Sequence, residues 1–184
     1  MEKKSLIASW TEVYRNRPLL MTGLSLLMIG LPLSLFLTSL SQFFLGGSFF
    51  LEGSWKNKFR RFFSNPTAML VAGIWVLHLA GLAWTTDMTE GLRDVRIKVP
   101  LFVLPVVLAG CDPLSRAQFR HLTGLFVAAV VTASLIYSAV WTGWFHTPVT
   151  DVRQIFIFKI SHIRFALFVC LSIVSSVWLY RTQE

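Results

Sequence analysis

Long uncharged runs alternate with short charged segments along the whole chain. The first run, residues 19–51, contains no Asp, Glu, Lys or Arg. Further uncharged runs cover residues 66–86, 99–111, 122–145 and 165–180. A helix rises about 1.5 Å per residue, so runs near 20 residues match the ~30 Å hydrocarbon core of a bilayer. The pattern predicts an all-α, polytopic integral membrane protein.

The first run is too long for one simple span. Its 33 residues would extend ~50 Å as a helix. Leu31-Pro32-Leu33-Ser34 lies near its middle, where proline removes a backbone donor and disfavours a straight helix. We therefore expect a short helical hairpin with spans at 19–32 and 34–51. A single kinked helix with an interfacial tail is the alternative.

Positive charge orients the predicted spans. With two spans in the first run, 11 of the 17 Lys and Arg residues fall on the cytoplasmic side, against 10 with one span. The basic stretch "KNKFRR" at 56–61 also belongs beside the cytoplasmic face. The predicted topology has the N-terminus inside and six spans, at about 19–32, 34–51, 67–84, 99–111, 121–144 and 163–180. Segments 52–66 and 112–120 are then cytoplasmic, and 85–98 and 146–162 are external.

The chain reads as one transmembrane helical domain over residues 1–184. It shows no internal repeat, low-complexity linker or soluble domain. Its positive N-terminus lacks a small-residue cleavage site after a short apolar stretch, so we expect an uncleaved first span.

Composition agrees with the membrane interpretation. Charged residues make up only 14% of the chain, below the ~25% of ordinary globular domains. The net charge of +8 lies beside the spans, where it suits anionic headgroups and orientation better than nucleic acid. The two cysteines should lie at different depths in the membrane, so we expect no disulfide between them. No zinc-binding spacing exists. We expect membrane lipids as partners, no nucleic acid and no metal.

The external segment 85–98 predicts a short amphipathic helix. Asp87 and Glu90 have the spacing of a capping box. Met88, Leu92, Val95 and Val99 then share one face. Glu90–Arg93 and Asp94–Lys98 are favourable i,i+3 and i,i+4 pairs. We expect this helix to lie at the outer interface before the chain enters the membrane at Pro100.

The fourth predicted span, 99–111, is only about 20 Å long. Either the amphipathic helix extends it, or it borders a thinned or water-filled region. Arg93, Arg96 and Lys98 would then lie at the outer mouth of that region. The simpler alternative is a solvated belt of snorkelling charges.

The second external segment carries four potential cations in twelve residues: Arg153, Lys159, His162 and Arg164. Such a cluster suits a diphosphate, because the guanidinium fork binds phosphate oxygens bidentately and stays charged. Arg164 lies at the start of the sixth span, where a charge faces a cavity or snorkels. For His162 a structural hydrogen bond competes with catalysis. His78 reads as a mid-span residue that hydrogen-bonds to another helix.

Two stretches carry a family resemblance. "LHLAGLAWTTDMTEGLRDVRIKVPLFVLPVVLAG" is similar to the O-antigen ligase and polymerase superfamily of bacterial membrane glycosyltransferases. The branch pattern is GL-aromatic-T-x-D/N…G-x-x-D-x-x-x-K-x-x-L-x-x-x-P. The matching positions are Gly81, Leu82, Trp84, Thr85, Asp87, Gly91, Asp94, Lys98, Leu101 and Pro105. "DVRQIFIFKISHIRFALFV" at 151–169 resembles a second family pattern, in which an arginine shortly precedes a "sHiRf"-like span start. A break such as "LPLS" in the first hydrophobic run is also usual in this family.

The resemblance implies transfer of a glycan from an undecaprenyl-diphosphate carrier at the outer face of the bacterial inner membrane. The acceptor would be lipid A-core for a ligase, or another glycan for a polymerase, and no cofactor is implied. Cations would hold the diphosphate leaving group and a general base would activate the acceptor. On this basis Lys98, Arg153, Arg164, His162 and Arg96 are the candidate substrate-binding residues, and the catalytic residue is not assigned.

Family members have about twice as many spans and a large outer loop with further arginine and histidine. The chain is therefore expected to be the N-terminal half of a longer protein or a truncated gene product, inactive alone. The competing interpretation is a non-enzymatic membrane protein, such as a small permease or an assembly subunit. No Walker A, GxGxxG, HExxH or GxSxG motif is present.

Overall fold

The computed structural model describes residues 13–14, 17–142, 154–155 and 160–182. This part of the chain is essentially all-helical, as the sequence predicts. A 3-10 turn, Leu82–Trp84, and a two-residue antiparallel pair of strands, β1 (Gln154–Ile155) and β2 (Ile160–Ser161), are the remaining regular elements within it. The helices of nine residues or more are α1 (Pro18–Leu33), α2 (Leu35–Leu51), α3 (Trp55–Phe63), α4 (Pro66–Gly81), α5 (Met88–Ile97), α6 (Pro100–Gly110), α7 (Arg116–Trp141) and α8 (His162–Arg181).

The contacts divide the chain into two compact units. The first unit contains Met21–Ser41 and the chain from Leu114 onward, so it includes α7 and α8. The second contains Arg17–Leu20 and Gln42–Pro113, so it includes α3, α4, α5 and α6.

The first apolar run forms two helices, not one kinked helix. Ser34 separates α1 from α2, and its hydroxyl accepts a hydrogen bond from the Leu37 N–H at 3.4 Å. The chain turns back so tightly here that a Cβ atom on Gly30 would lie 2.7 Å from the Thr38 nitrogen. This close approach requires glycine. The hairpin of short helices that "LPLS" predicts is therefore present as a fold element.

Three helical stretches are long and apolar enough to cross a membrane: Pro66–Trp84, Arg116–Trp141 and His162–Arg181. They coincide with the third, fifth and sixth predicted spans. A fourth candidate is the pair α2 and α3, which passes the same criterion only together and is bent by 110°. The first, second and fourth predicted spans form helices of 16, 17 and 11 residues, which are shorter than a bilayer core needs.

The long apolar helices bury little of their surface within the chain. Within the most apolar 18 residues of each helix, the share that is buried inside the chain is 11% for Pro66–Trp84 and 6% for His162–Arg181. Side chains such as Leu70 and Leu167 are 74% and 64% exposed. Water would penalise so much exposed apolar surface, whereas lipid does not. The long apolar helices thus indicate a membrane protein.

Segment 52–66, predicted as a cytoplasmic loop, contains the helix α3. Gly53 adopts a positive φ of 80°, which glycine tolerates without a Cβ penalty, at the turn between α2 and α3. In α3, Trp55, Phe59 and Phe63 recur every four residues, while Lys58 and Phe62 face the interior. The recurrence of aromatic residues was the signal for a helix, but the dense charge of "KNKFRR" led to its interpretation as a loop.

Helices α7 and α8 run antiparallel and pack through aromatic pairs. Tyr137 contacts Phe165 at a ring-centroid distance of 4.8 Å, and Phe119 contacts Trp178 at 5.1 Å. Helix α7 begins at Arg116, five residues before the predicted span, because Ser115 and Gln118 form a reciprocal capping box. The start of α8 therefore lies beside the C-terminal end of α7.

Candidate functional site

The amphipathic helix predicted outside the third span is present as α5. The Asp87 carboxylate accepts hydrogen bonds from the Thr89 and Glu90 N–H groups at 3.0 and 3.1 Å. These bonds satisfy two of the donors that a helix N-terminus leaves unpaired, and the negative charge suits the helix dipole. The Glu90 carboxylate accepts from Arg93 at 3.3 Å, the predicted i,i+3 pair.

The second predicted pair, Asp94 and Lys98, is also formed. The Lys98 Nζ donates to the Asp94 carboxylate at 2.7 Å. This hydrogen bond and the charge of Lys98 hold the pKa of Asp94 below its usual value of 3.8. Because the Asp94 side chain is 64% exposed, water screens the pair and its net contribution to stability is small. Lys98 is thus positioned at the C-terminal end of α5 by its own helix.

Contacts with α4 and the 3-10 turn fix where α5 lies. The Trp75 indole N–H donates to the Val95 carbonyl at 3.1 Å, and the Val95 side chain is buried. Gly91 faces the 3-10 turn closely, since a Cβ atom there would lie 2.7 Å from Leu82 Cδ2. Thr85 completes the turn by donating from its hydroxyl to the Asp87 carbonyl at 3.2 Å. The motif that carries the family resemblance is therefore one folded element.

His78 lies within the apolar stretch Pro66–Trp84, six residues before its end. It lies in the last turn of α4, three residues before the helix ends at Gly81. Its Nδ1 lies 2.7 Å from the Ile74 carbonyl oxygen, so the hydrogen bond is made within α4 instead of with another helix. A carbonyl can only accept, so Nδ1 is the donor in this hydrogen bond.

The five candidate substrate-binding residues fall in different parts of the chain. Arg96 lies in α5 and Lys98 directly follows that helix, both in the second unit. Arg96 is exposed with no ion-pair partner among the described residues. His162 and Arg164 belong to the first turn of α8 in the first unit, and both are exposed. Arg153 lies outside the described residues. Convergence of these residues on one pocket stays a prediction.

The two-residue pair of strands leads directly into α8. Gln154 pairs with Ser161 and Ile155 with Ile160 in antiparallel register. The pairing brings the segment that follows residue 153 close to the start of α8. Arg164 is the third residue of that helix and makes no ion pair with any residue that the structure describes.

A charged cluster at the other end of α4 was not predicted. Asp112 bridges two arginines: its carboxylate accepts from Arg17 at 2.8 Å and also from Arg61. Arg17 donates in addition to the Asp112 carbonyl at 2.8 Å. One carboxylate thus ties the start of α1, the end of α3 and the segment after α6 together within the second unit.

Two helix ends in the same cluster are capped by charged side chains. The Glu52 carboxylate accepts from the Leu19 and Leu20 N–H groups at 2.6 and 3.2 Å, at the N-terminus of α1. Lys58 is only 8% exposed, and its ammonium donates to the Ser48 and Phe49 carbonyls at 2.8 Å each, at the C-terminus of α2. The negative charge of Glu52 lies at the partially positive N-terminus of α1, and the positive charge of Lys58 lies at the partially negative C-terminus of α2. Both interactions are therefore favourable.

Helix α6 fits against this cluster through Gly110. A Cβ atom on Gly110 would lie 2.9 Å from the Phe49 ring and 3.2 Å from the Lys58 carbonyl oxygen. The sequence offered no local signal for Lys58 as a cap, because its partners are nine and ten residues away.

No group of three or more His, Cys, Asp or Glu side chains that could hold a metal ion occurs in the described part of the chain. Comparison with known proteins assigns no family or function to the chain. No protein-family model matches the chain, and neither a curated protein nor a solved structure matches it.

Proposed function

We propose that this chain is a membrane glycosyltransferase-like protein of cell-surface polysaccharide assembly. Its reaction is transfer of a glycan from an undecaprenyl-diphosphate carrier to lipid A-core, the reaction of the O-antigen ligases that the sequence resembles. The observation that carries the proposal is the stretch of residues 81–105, whose ten motif positions match in order. The spacing also matches from Gly91 to Pro105, whereas Ala83 is one extra residue between Leu82 and Trp84.

The structural roles of these motif residues support the proposal. Asp87 caps α5, Gly91 permits close packing on the 3-10 turn, and Asp94 holds Lys98. A pattern that merely reflected apolar composition would have no reason to place a cap, a small residue and an ion pair at these spacings. The motif instead describes a helix that presents cations at the end of an apolar span.

Cations at this position suit the chemistry. When the glycosyl bond to the carrier breaks, negative charge develops on the departing diphosphate, and fixed positive groups lower the barrier. Arg96 and Lys98 on α5 and Arg153 and Arg164 before and within α8 are the groups proposed for this role. His162 would complete the substrate-binding set.

The proposal places the chain in the bacterial inner membrane with six spans and a cytoplasmic N-terminus. In that topology α5 and the start of α8 both lie at the periplasmic face, where the carrier presents its glycan. The short helices α1, α2 and α6 would then cross a locally thin region of the bilayer.

A non-enzymatic assembly subunit is the second candidate. Its specific support is that Lys98 and Arg93 are already paired with carboxylates of their own helix, as expected for charges that only solvate and stabilise α5. Such a protein would tolerate loss of individual cations.

The test is glycan transfer in cells that express the full-length protein, with Arg164→Ala and Arg164→Lys at matched expression. Arg116→Ala, an exposed arginine at the opposite end of the α7–α8 pair, is the control. Transfer should fall about tenfold or more with Arg164→Ala, and Arg164→Lys should not restore it, because lysine cannot bind phosphate bidentately. Transfer at the wild-type level in both Arg164 variants would favour the assembly subunit.

A further inference from the structure

Helix α3 has a surface that the proposed transfer reaction does not use. Its residues form three stripes along the helix. Lys58 and Phe62 face the interior, Trp55, Phe59 and Phe63 form an aromatic stripe, and Lys56 and Arg60 form a basic stripe next to it. Trp55 and Phe63 are 54% and 62% exposed.

The structure separates the four cations of "KNKFRR" into two classes. Lys58 is buried as the cap of α2, and Arg61 is bound to Asp112. Lys56 and Arg60 are exposed, lie four residues apart on one face, and have no carboxylate partner among the described residues. Only these two remain available to an external anion.

The direction of α3 suits a membrane surface. Helix α2 contains no charged residue, and α3 leaves its end at an angle of 110°. A helix that turns by about a right angle from an apolar helix that enters a bilayer lies along the membrane plane. In that position exposed aromatic rings reach the boundary between headgroups and acyl chains, and neighbouring cations lie at headgroup level.

We propose that α3 is an interfacial helix that binds anionic phospholipid headgroups through Lys56 and Arg60, with Trp55 and Phe63 inserted beside them. This site is independent of the transfer reaction. Its ligand is the lipid phosphate of an anionic headgroup, bound at the end of the second unit opposite to α5. Each cation near an anionic surface contributes about fivefold to binding, so the pair favours anionic lipid by about 25-fold.

The test is site-specific photo-crosslinking of the full chain in vesicles of phosphatidylcholine and phosphatidylglycerol at a 7:3 ratio. A benzophenone amino acid replaces Phe63, and the lipids attached to it are identified by mass spectrometry. The same substitution at Phe43, an exposed apolar position of α2, gives the reference. We expect phosphatidylglycerol to be several-fold enriched at position 63 relative to position 43.

Two double variants with equal charge change complete the experiment. Lys56→Gln with Arg60→Gln should abolish the enrichment. Arg93→Gln with Arg96→Gln, at the opposite end of α4, should leave it intact. If phosphatidylglycerol is not enriched at position 63 of the chain without the double variants, the helix has no selectivity for anionic lipid and the proposal is overturned. If both double variants reduce the enrichment equally, the selectivity is due to overall charge, which also overturns the proposal.

Discussion

Single charged residues in this chain act chiefly on helix ends. Lys58 lies across the last turn of α2, Glu52 at the first turn of α1, and Asp87 at the first turn of α5. Each of these groups satisfies backbone atoms that have no partner within their own helix. In an apolar environment such unpaired backbone groups are costly, so these few charges have a larger effect than their number suggests.

Lys58→Met should therefore destabilise the fold. The substitution keeps the apolar stem but removes both hydrogen bonds to the Ser48 and Phe49 carbonyls. Each hydrogen bond from a charged group contributes about 1.5–3 kcal/mol, so the loss of two should lower the free energy of unfolding by about 3–6 kcal/mol. Thermal unfolding of the detergent-solubilised protein measures this as a decrease in Tm of several degrees. Lys56→Met, at an exposed position of the same helix, is the control. An equal Tm for the Lys58→Met and Lys56→Met variants would contradict the capping role of Lys58.

At the scale of elements, the sequence predicted a helix correctly where the interactions that stabilise it join residues close together in the chain. The Asp87 cap, the Glu90–Arg93 pair and the Asp94–Lys98 pair needed only residues within four positions, and α5 follows from them. Helix α3 was missed because its inward face contains a lysine. Burial of Lys58 makes sense only once the end of α2 lies against it, and that contact is tertiary.

The state of the α5 ion pair depends on pH in a defined direction. Since Lys98 lowers the pKa of Asp94 in the folded chain, the pair stabilises α5 above pH 3.8. That contribution is lost as the pH falls below 3.8 through the lower pKa of the folded state. In a carbon-13 NMR titration, the Asp94 carboxyl should have a midpoint below 3.8, and Lys98→Met should raise it towards that value. Arg93→Met should shift it less, because the charge of Arg93 is the smallest cause. A midpoint at or above 3.8 in the unmodified chain would exclude the pair in solution.

At the scale of the whole molecule, length and hydropathy identified the long apolar helices but not every predicted span. The long helices Pro66–Trp84, Arg116–Trp141 and His162–Arg181 lie in the third, fifth and sixth predicted spans, because about 20 apolar residues have few alternatives to a helix. Segments 19–32, 34–51 and 99–111 form shorter helices whose ends are set by Ser34 and by contacts such as Gly110 with Phe49. The candidate site illustrates the same limit. Arg96 and Lys98 lie where predicted on α5, but their distance from Arg164 depends on packing that sequence patterns do not specify.

The six-span topology makes a direct prediction for chemical labelling. In a background with Cys111→Ser and Cys170→Ser, Glu90→Cys should react with a membrane-impermeant maleimide in intact cells. Asn57→Cys should react only after permeabilisation. Asn57 is exposed on α3, whereas the neighbouring Lys58 is buried, so labelling at Lys58 would report burial instead of sidedness. Reaction of Asn57→Cys from outside would show that the α1–α2 hairpin does not cross the membrane twice.

The outer-face arginines are proposed to bind the diphosphate of a lipid carrier. The most direct measurement is the affinity of the purified full-length protein for undecaprenyl diphosphate, compared with undecaprenyl monophosphate and with the Arg164→Ala variant. A charged contact with phosphate contributes about 1.5–3 kcal/mol, so Arg164→Ala should raise the Kd by about tenfold or more. The unmodified protein should prefer the diphosphate. Equal affinity for the two lipids, together with an unchanged Kd for Arg164→Ala, would contradict the claim.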